Sequence, residues 1–172
     1  MNLLITEILV DKSAKIEVPV KMLLNPVHFF ALGFGSGLTP KIPGTAGTLA
    51  GILLFILIPD MSWMTYLLII VCGFLFGIFC CGYTAKILNA HDHHSIVCDE
   101  IIGFLVTMFM VPKEWIWILI GFILFRTFDI LKPWPISFID RRVGGGLGIM
   151  FDDLLAALFS LAIIQVAVYF LQ

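Results

Sequence analysis

The stretch Phe125-Arg126-Thr127-Phe128-Asp129-Ile130-Leu131-Lys132-Pro133-Trp134-Pro135-Ile136-Ser137-Phe138-Ile139-Asp140-Arg141-Arg142-Val143-Gly144-Gly145-Gly146-Leu147-Gly148-Ile149-Met150-Phe151-Asp152-Asp153 decides how this chain is read. It gathers three Arg, one Lys, four Asp, two Pro and four Gly into an otherwise apolar protein. Charge beside lipid-length apolar runs is costly and marks a working site. Arg126, Asp129 and Lys132 are spaced i, i+3, i+6, along one side of a helix. Pro133 and Pro135 then stop that helix, because proline lacks the N–H and clashes with the preceding turn. Gly144–Gly148 lets backbone come close to a ligand or another segment. Asp152 and Asp153 stand where the last apolar run begins.

Outward from this stretch, composition sets the class. Of 172 residues, 60% are hydrophobic, above the roughly 45–50% of soluble domains. This reads as an all-α, integral membrane helical bundle rather than a soluble all-α domain with a greasy core. The net charge of -2 and the lack of a basic arm exclude a nucleic-acid partner. Glu7, Asp11 and Lys12 interrupt the first apolar residues, so no signal-peptide pattern is expected. Three of the four cysteines, Cys72, Cys80 and Cys81, share one apolar run. With Cys98 they are expected as reduced, buried thiols.

Residues 1–24 carry Lys12, Lys15 and Lys21 and read as an amphipathic surface segment or tail, leaving 25–172 as one membrane-embedded domain. About four to five hydrophobic helices follow, some short or half-spanning. They are expected at Thr45–Ile58, Met64–Leu88, Asp99–Val111, Trp115–Leu131 and Asp153–Leu171. Pro59-Asp60 and Pro112-Lys113-Glu114 are the breaks. Trp63, Trp115, Trp117 and Trp134 lie near segment ends, as an interfacial belt would. With the N-terminus inside, Lys12, Lys15, Lys21, Lys41, Lys86, Lys132, Arg141 and Arg142 fall on one side and Lys113 alone on the other. That bias makes the charged side cytoplasmic. The polar motifs all land there.

Cys98-Asp99-Glu100 opens a helix. Its acids either answer the helix dipole or serve as hard oxygen ligands for a divalent cation. Arg126, Asp129 and Lys132 form either an interhelical ion-pair stripe or a phosphate grip beside a metal. Asp152-Asp153 either cap the last helix or join the oxygen ligands. Asp140-Arg141-Arg142 is either a membrane anchor or part of the site. His91-Asp92-His93-His94 fits no zinc spacing and reads as a hydrated loop with one His reaching a phosphate. Gly33-x-Gly35-x-Gly37 has no strand before it and no GK[ST] after it. It serves close packing or faces a phosphate with its backbone.

These pieces in this order resemble the phosphatidylglycerophosphatase A family of bacterial membrane phosphatases. The resemblance runs from about Asn25 to the last helix. It is carried by Gly33-Phe34-Gly35-Ser36-Gly37-Leu38, Pro43-Gly44-Thr45, His91-Asp92-His93 and Cys98-Asp99-Glu100. Phe125-Arg126, Asp129, Lys132-Pro133-Trp134-Pro135-Ile136, Asp140-Arg141, Gly145-Gly146-Leu147-Gly148-Ile149-Met150 and Asp152-Asp153 complete it. The chain departs from the family pattern at His94, in place of glycine, and at Cys98, in place of tryptophan. The resemblance implies Mg²⁺-dependent removal of the terminal phosphate of phosphatidylglycerophosphate at the cytoplasmic face of the bacterial inner membrane. This is the last step of phosphatidylglycerol biosynthesis.

On the residues and the resemblance together, the expected metal ligands are Asp99, Glu100, Asp129, Asp152 and Asp153. The expected catalytic groups are Asp129, Asp99, Lys132 and Arg126. Lys41, Thr45, Arg126, Lys132, Arg141 and His94 are expected to bind substrate. The chain has no Cys-x5-Arg and no D-x-D-x-T motif, which disfavours cysteine-based and haloacid-type phosphatase chemistry. The other classes weighed are a small ion or solute transporter with an acidic cation site, a lipid head-group transferase and a non-catalytic subunit.

Overall fold

The computed structural model describes residues 18–90 and 92–171. Most of the expected N-terminal segment, Lys12 and Lys15 included, lies outside them. All regular structure among the described residues is helical, with no strand among them. A 3-10 segment, Val20–Leu24, leads into α1 (Pro26–Ala31). A second, Gly33–Leu38, leads into α2 (Pro43–Leu57). The rest is α3 (Trp63–Ile87), α4 (Cys98–Thr107), α5 (Trp115–Leu131), α6 (Ile136–Arg142) and α7 (Gly145–Leu171).

The boundaries follow local chemistry. Pro43 occupies the first turn of α2, where its missing N–H costs nothing. Ser62 caps α3 by accepting a hydrogen bond from the Thr65 N–H at 3.2 Å. Lys132 ends α5 in the left-handed conformation, φ 41°. The expected i, i+6 stripe therefore splits. Arg126 and Asp129 stay on the helix, and Lys132 is swung off it by its own backbone.

The largest departure is α7, which starts at Gly145 rather than Asp153. Glycine is a poor helix former, but here its lack of a side chain permits a close crossing. A Cβ on Gly146 would stand 1.9 Å from the Ile78 carbonyl oxygen of α3. Asp152 and Asp153 thus sit two turns inside the helix. The dipole acts within the first turn, so the capping reading does not apply to them. The short helix α6, which is not among the helices expected from sequence, packs on α7.

Helix α7 is the hub, packed against α3, α4, α5 and α6; α2 packs on α4, and α1 on α3. Phe104, Phe125, Ala156, Ala157 and Ile164 form the fully buried centre. Among the described residues, two helices are long and apolar enough to cross a membrane, α3 with 25 residues and α7 with 27. At 1.5 Å per residue each exceeds the ~30 Å hydrocarbon core. Helices α2, α4 and α5, with 15, 10 and 17 residues, fall short of that length. Large apolar side chains face outward along α3, α5 and α7, among them Leu68, Leu75, Ile123 and Val166. Trp63, Trp115 and Trp134 are exposed, whereas Trp117 is a core residue and not part of a belt. Cys80, Cys81 and Cys98 are free and buried, as expected, while Cys72 is exposed on the outer face of α3.

Candidate functional site

Helix polarity brings the charges together. The N-termini of α2 and α4, the C-terminus of α5 and the second turn of α7 meet at one end of the bundle. Asp99 and Glu100 come from the first turn of α4. Asp153 comes from α7. One carboxylate oxygen from each of these three lies within 4.8 Å of the others. Asp129 of α5 stands beside both Glu100 and Asp153.

Two cations hold the cluster from the side. Arg126 Nη1 lies 2.5 Å from Asp129 Oδ2 and 3.9 Å from Glu100 Oε1. Lys132 Nζ donates to Asp140 Oδ1 at 2.6 Å and to Asp152 Oδ2 at 2.5 Å. Burial alone would lower the Lys132 pKa, but its bonds to Asp140 and Asp152 outweigh that and hold it above its ordinary value. Burial, with Glu100 next to it, pushes the Asp99 carboxyl well above the usual carboxylate range. Burial likewise pushes Glu100 up to about 8, against a hydrogen bond with Asp99 and the charge of Arg126, with Asp153 and Asp129 adding to the rise.

The cluster is not self-satisfied. Among the described residues, Asp99 Oδ1, Glu100 Oε2, Asp152 Oδ1, Asp153 Oδ2 and Arg126 Nε are buried and lack a hydrogen-bond partner. Orphaned buried polar groups are rare, because each costs the full desolvation of that group. Four of these five are carboxylate oxygens, the donors a hard cation such as Mg²⁺ takes. The donor set therefore fits a divalent ion held by Asp99, Glu100 and Asp153.

Backbone completes the site. A Cβ on Gly44, in the first turn of α2, would lie 2.5 Å from Glu100 Oε1 and 3.1 Å from Arg126 Nη2. With no side chain at Gly44, Glu100 and Arg126 can reach in against the α2 backbone. The Gly33-x-Gly35-x-Gly37 motif also serves close packing. A Cβ on Gly37 would meet the Ser95 carbonyl oxygen at 2.0 Å, and Gly33 sits against Val97. Both glycines fix the loop that delivers Cys98-Asp99-Glu100.

Of the sequence-expected residues, Asp99, Glu100, Asp129, Asp152, Asp153, Arg126 and Lys132 come together. Thr45 is half-buried, one residue past Gly44. Lys41 and Arg141 are exposed, and among the described residues neither makes an ion pair. His94 is exposed with its ring stacked on His93 at 4.4 Å. His93 is buried, and its Nδ1 accepts from the Ser95 N–H. His91 lies outside the described residues. Two further acids join the network from outside the expected ligand set. Asp92 acts electrostatically on both Asp99 and Asp152, and Asp140 shares Lys132 with Asp152. Asp92 was legible as part of a histidine tract, and Asp140 as part of a tract left open between a membrane anchor and the site.

The chain is similar to known proteins over most of its length. A family model described as phosphatidylglycerophosphatase A matches residues 29–168. An Escherichia coli K12 protein named phosphatidylglycerophosphatase A is 46% identical over 141 residues, covering 81% of this chain and 82% of that one. A Haemophilus influenzae protein of the same name is 43% identical over 151 residues, 87% of this chain and 93% of its own. A Bacteroides thetaiotaomicron protein, provisionally named a phosphatidylinositol-3-phosphatase, is 37% identical over 144 residues, 78% of this chain and 89% of its own. No solved structure matches. The chain belongs to the phosphatidylglycerophosphatase A family.

Proposed function

We propose that this chain is a membrane-embedded phosphatase that hydrolyses phosphatidylglycerophosphate to phosphatidylglycerol and inorganic phosphate with Mg²⁺ as cofactor. The observation that carries the reading is the set of orphaned buried carboxylate oxygens beside Arg126. The family membership names the lipid. In this reading α3 and α7 cross the bacterial inner membrane, and the shorter α2, α4 and α5 enter from the cytoplasmic side. The excess of Lys and Arg in the loops at the site end supports that orientation.

Asp99, Glu100 and Asp153 would hold the ion, with Asp129 and Asp152 flanking it. A bound divalent cation polarises a phosphoryl oxygen and lowers the pKa of a coordinated water. Arg126 presents a planar fork to the phosphate oxygens, where charge spreads during transfer. Asp129 orients that fork through its 2.5 Å contact. Lys132, tethered by Asp140 and Asp152, adds a fixed positive charge at the rim. Lys41, Thr45, Arg141 and His94 line the approach from the cytoplasm rather than the carboxylate network itself.

The test is phosphate release from phosphatidylglycerophosphate by the purified protein in detergent, with Mg²⁺ and then with EDTA. Release that stops with EDTA and returns with Mg²⁺ is the expected result. Release unaffected by chelation removes the metal from the reading, and no release from folded protein overturns it. A parallel arm with phosphatidylinositol 3-phosphate separates this substrate from the one in the name of the Bacteroides relative.

A further inference from the structure

Two apolar grooves open on the outer surface of the bundle, and they differ in one respect. The larger, about 470 Å³, runs between α3 and α7 past Phe74, Leu154 and Leu158, and its walls are entirely apolar. The other, about 410 Å³, runs along α5 and is lined by Phe122, Ile123, Arg126, Thr127, Ile130 and Leu131. Only the second contains a residue of the candidate site.

The α5 groove sets an apolar wall beside one cationic side chain. Its single hydroxyl is already committed: Thr127 Oγ1 donates to the Ile123 carbonyl oxygen at 2.6 Å. Ile123, Ile130 and Leu131 are exposed within it. The one charged group in its wall is Arg126, whose Nε is buried and has no partner among the described residues. From Phe122 to Leu131 the groove spans about 13 Å of helix, at 1.5 Å per residue.

We infer that the α5 groove seats an acyl chain of the phosphorylated lipid, so that substrate enters sideways from the bilayer along α5 and its phosphate arrives at Arg126. This rests on the phosphatase reading and adds to it the route and the chain-binding wall. The α3–α7 groove is then ordinary lipid-facing surface.

The experiment compares kcat/KM for dipalmitoyl- and dihexanoyl-phosphatidylglycerophosphate in mixed micelles, for the unsubstituted protein, Ile123→Trp and Leu158→Trp. Filling the α5 groove should lower the long-chain to short-chain ratio about tenfold, as expected for the lost burial of two methylenes. Leu158→Trp should leave the ratio where it was. An unchanged ratio in Ile123→Trp, or a fall confined to Leu158→Trp, overturns the groove assignment while leaving the phosphatase reading intact. Absence of phosphate release by the unsubstituted protein instead overturns that reading. Should Ile123→Trp fail to fold, a diazirine-bearing acyl analogue decides the matter on the unsubstituted protein. Labels on residues 122–131 support the inference, and labels on Leu67–Leu75 of α3 overturn it.

Discussion

The two ends of the bundle handle polar groups in opposite ways. At the end formed by the α3 N-terminus and the α4–α5 turn, every notable polar group has its answer. Lys113 pairs with Asp60 at 3.0 Å, bonds the Ile58 carbonyl oxygen and covers the Phe55 ring at 5.7 Å. The Tyr66 hydroxyl donates to Leu105 O at 3.0 Å, and Gln165 Nε2 to Phe109 O at 2.7 Å. At the other end, seven carboxylates (Asp92, Asp99, Glu100, Asp129, Asp140, Asp152, Asp153) gather with two cations, Arg126 and Lys132, and buried oxygens go unanswered. Satisfied polar groups hold a fold together. Unsatisfied ones, kept at a cost of about 1–3 kcal/mol each, await something from outside.

The contrast breaks most sharply at the acids. Asp99→Asn and Asp129→Asn should each cut phosphate release about a thousandfold, the scale of losing a metal ligand or positioned carboxylate. Both proteins should still fold, as judged by detergent size-exclusion and circular dichroism. Turnover near wild type in both would show the open end to be mere structure. Arg126→Lys keeps the charge but loses the fork. It should cost about a hundredfold in kcat, and a loss seen only in KM would assign Arg126 to ground-state binding. Gly44→Ala carries no charge change at all. The new Cβ displaces Glu100 and Arg126, so activity should fall about tenfold by misplacement alone while the thermal midpoint hardly moves. A large drop in midpoint would mark Gly44 as a packing residue instead. Smallest of all, Lys113→Ala at the closed end should leave kcat/KM within about twofold and cost under ~1 kcal/mol of stability, as exposed ion pairs do. A strong activity loss there would couple the two ends and end the comparison.

Much of this was legible in the chain. Long apolar runs punctuated by Pro59, Pro112 and Pro133 give α2, α3 and α5 within a few residues. The acids that meet in space are those whose cost in an apolar protein made them conspicuous. What was not legible depended on partners distant in sequence. Gly145 to Gly148 looks like a loop because local propensity disfavours helix; the backbone contact with α3 overrides it. Lys132 seems to continue a stripe, but its left-handed backbone sends it to Asp140 and Asp152. Trp117 resembles its neighbour Trp115 in sequence, yet it points inward and is 4% exposed against 74%. Asp92 and Asp140 were overshadowed by the histidines and arginines beside them.

Helix α2 carries a consequence for anyone who maps substitutions across this protein. Gly47 lies against Val97, where an added Cβ would come within 2.7 Å, and Gly51 lies against the backbone of Ile101 at 3.2 Å. A saturation scan would return two sensitive positions one helical turn apart, the stronger at Gly47, on a helix without a single acid or base. Such a pattern is easily taken for a binding face. Here it would record only how near two backbones stand, and the readout that tells them apart is abundance, which falls at Gly47 and Gly51 and holds at Asp99.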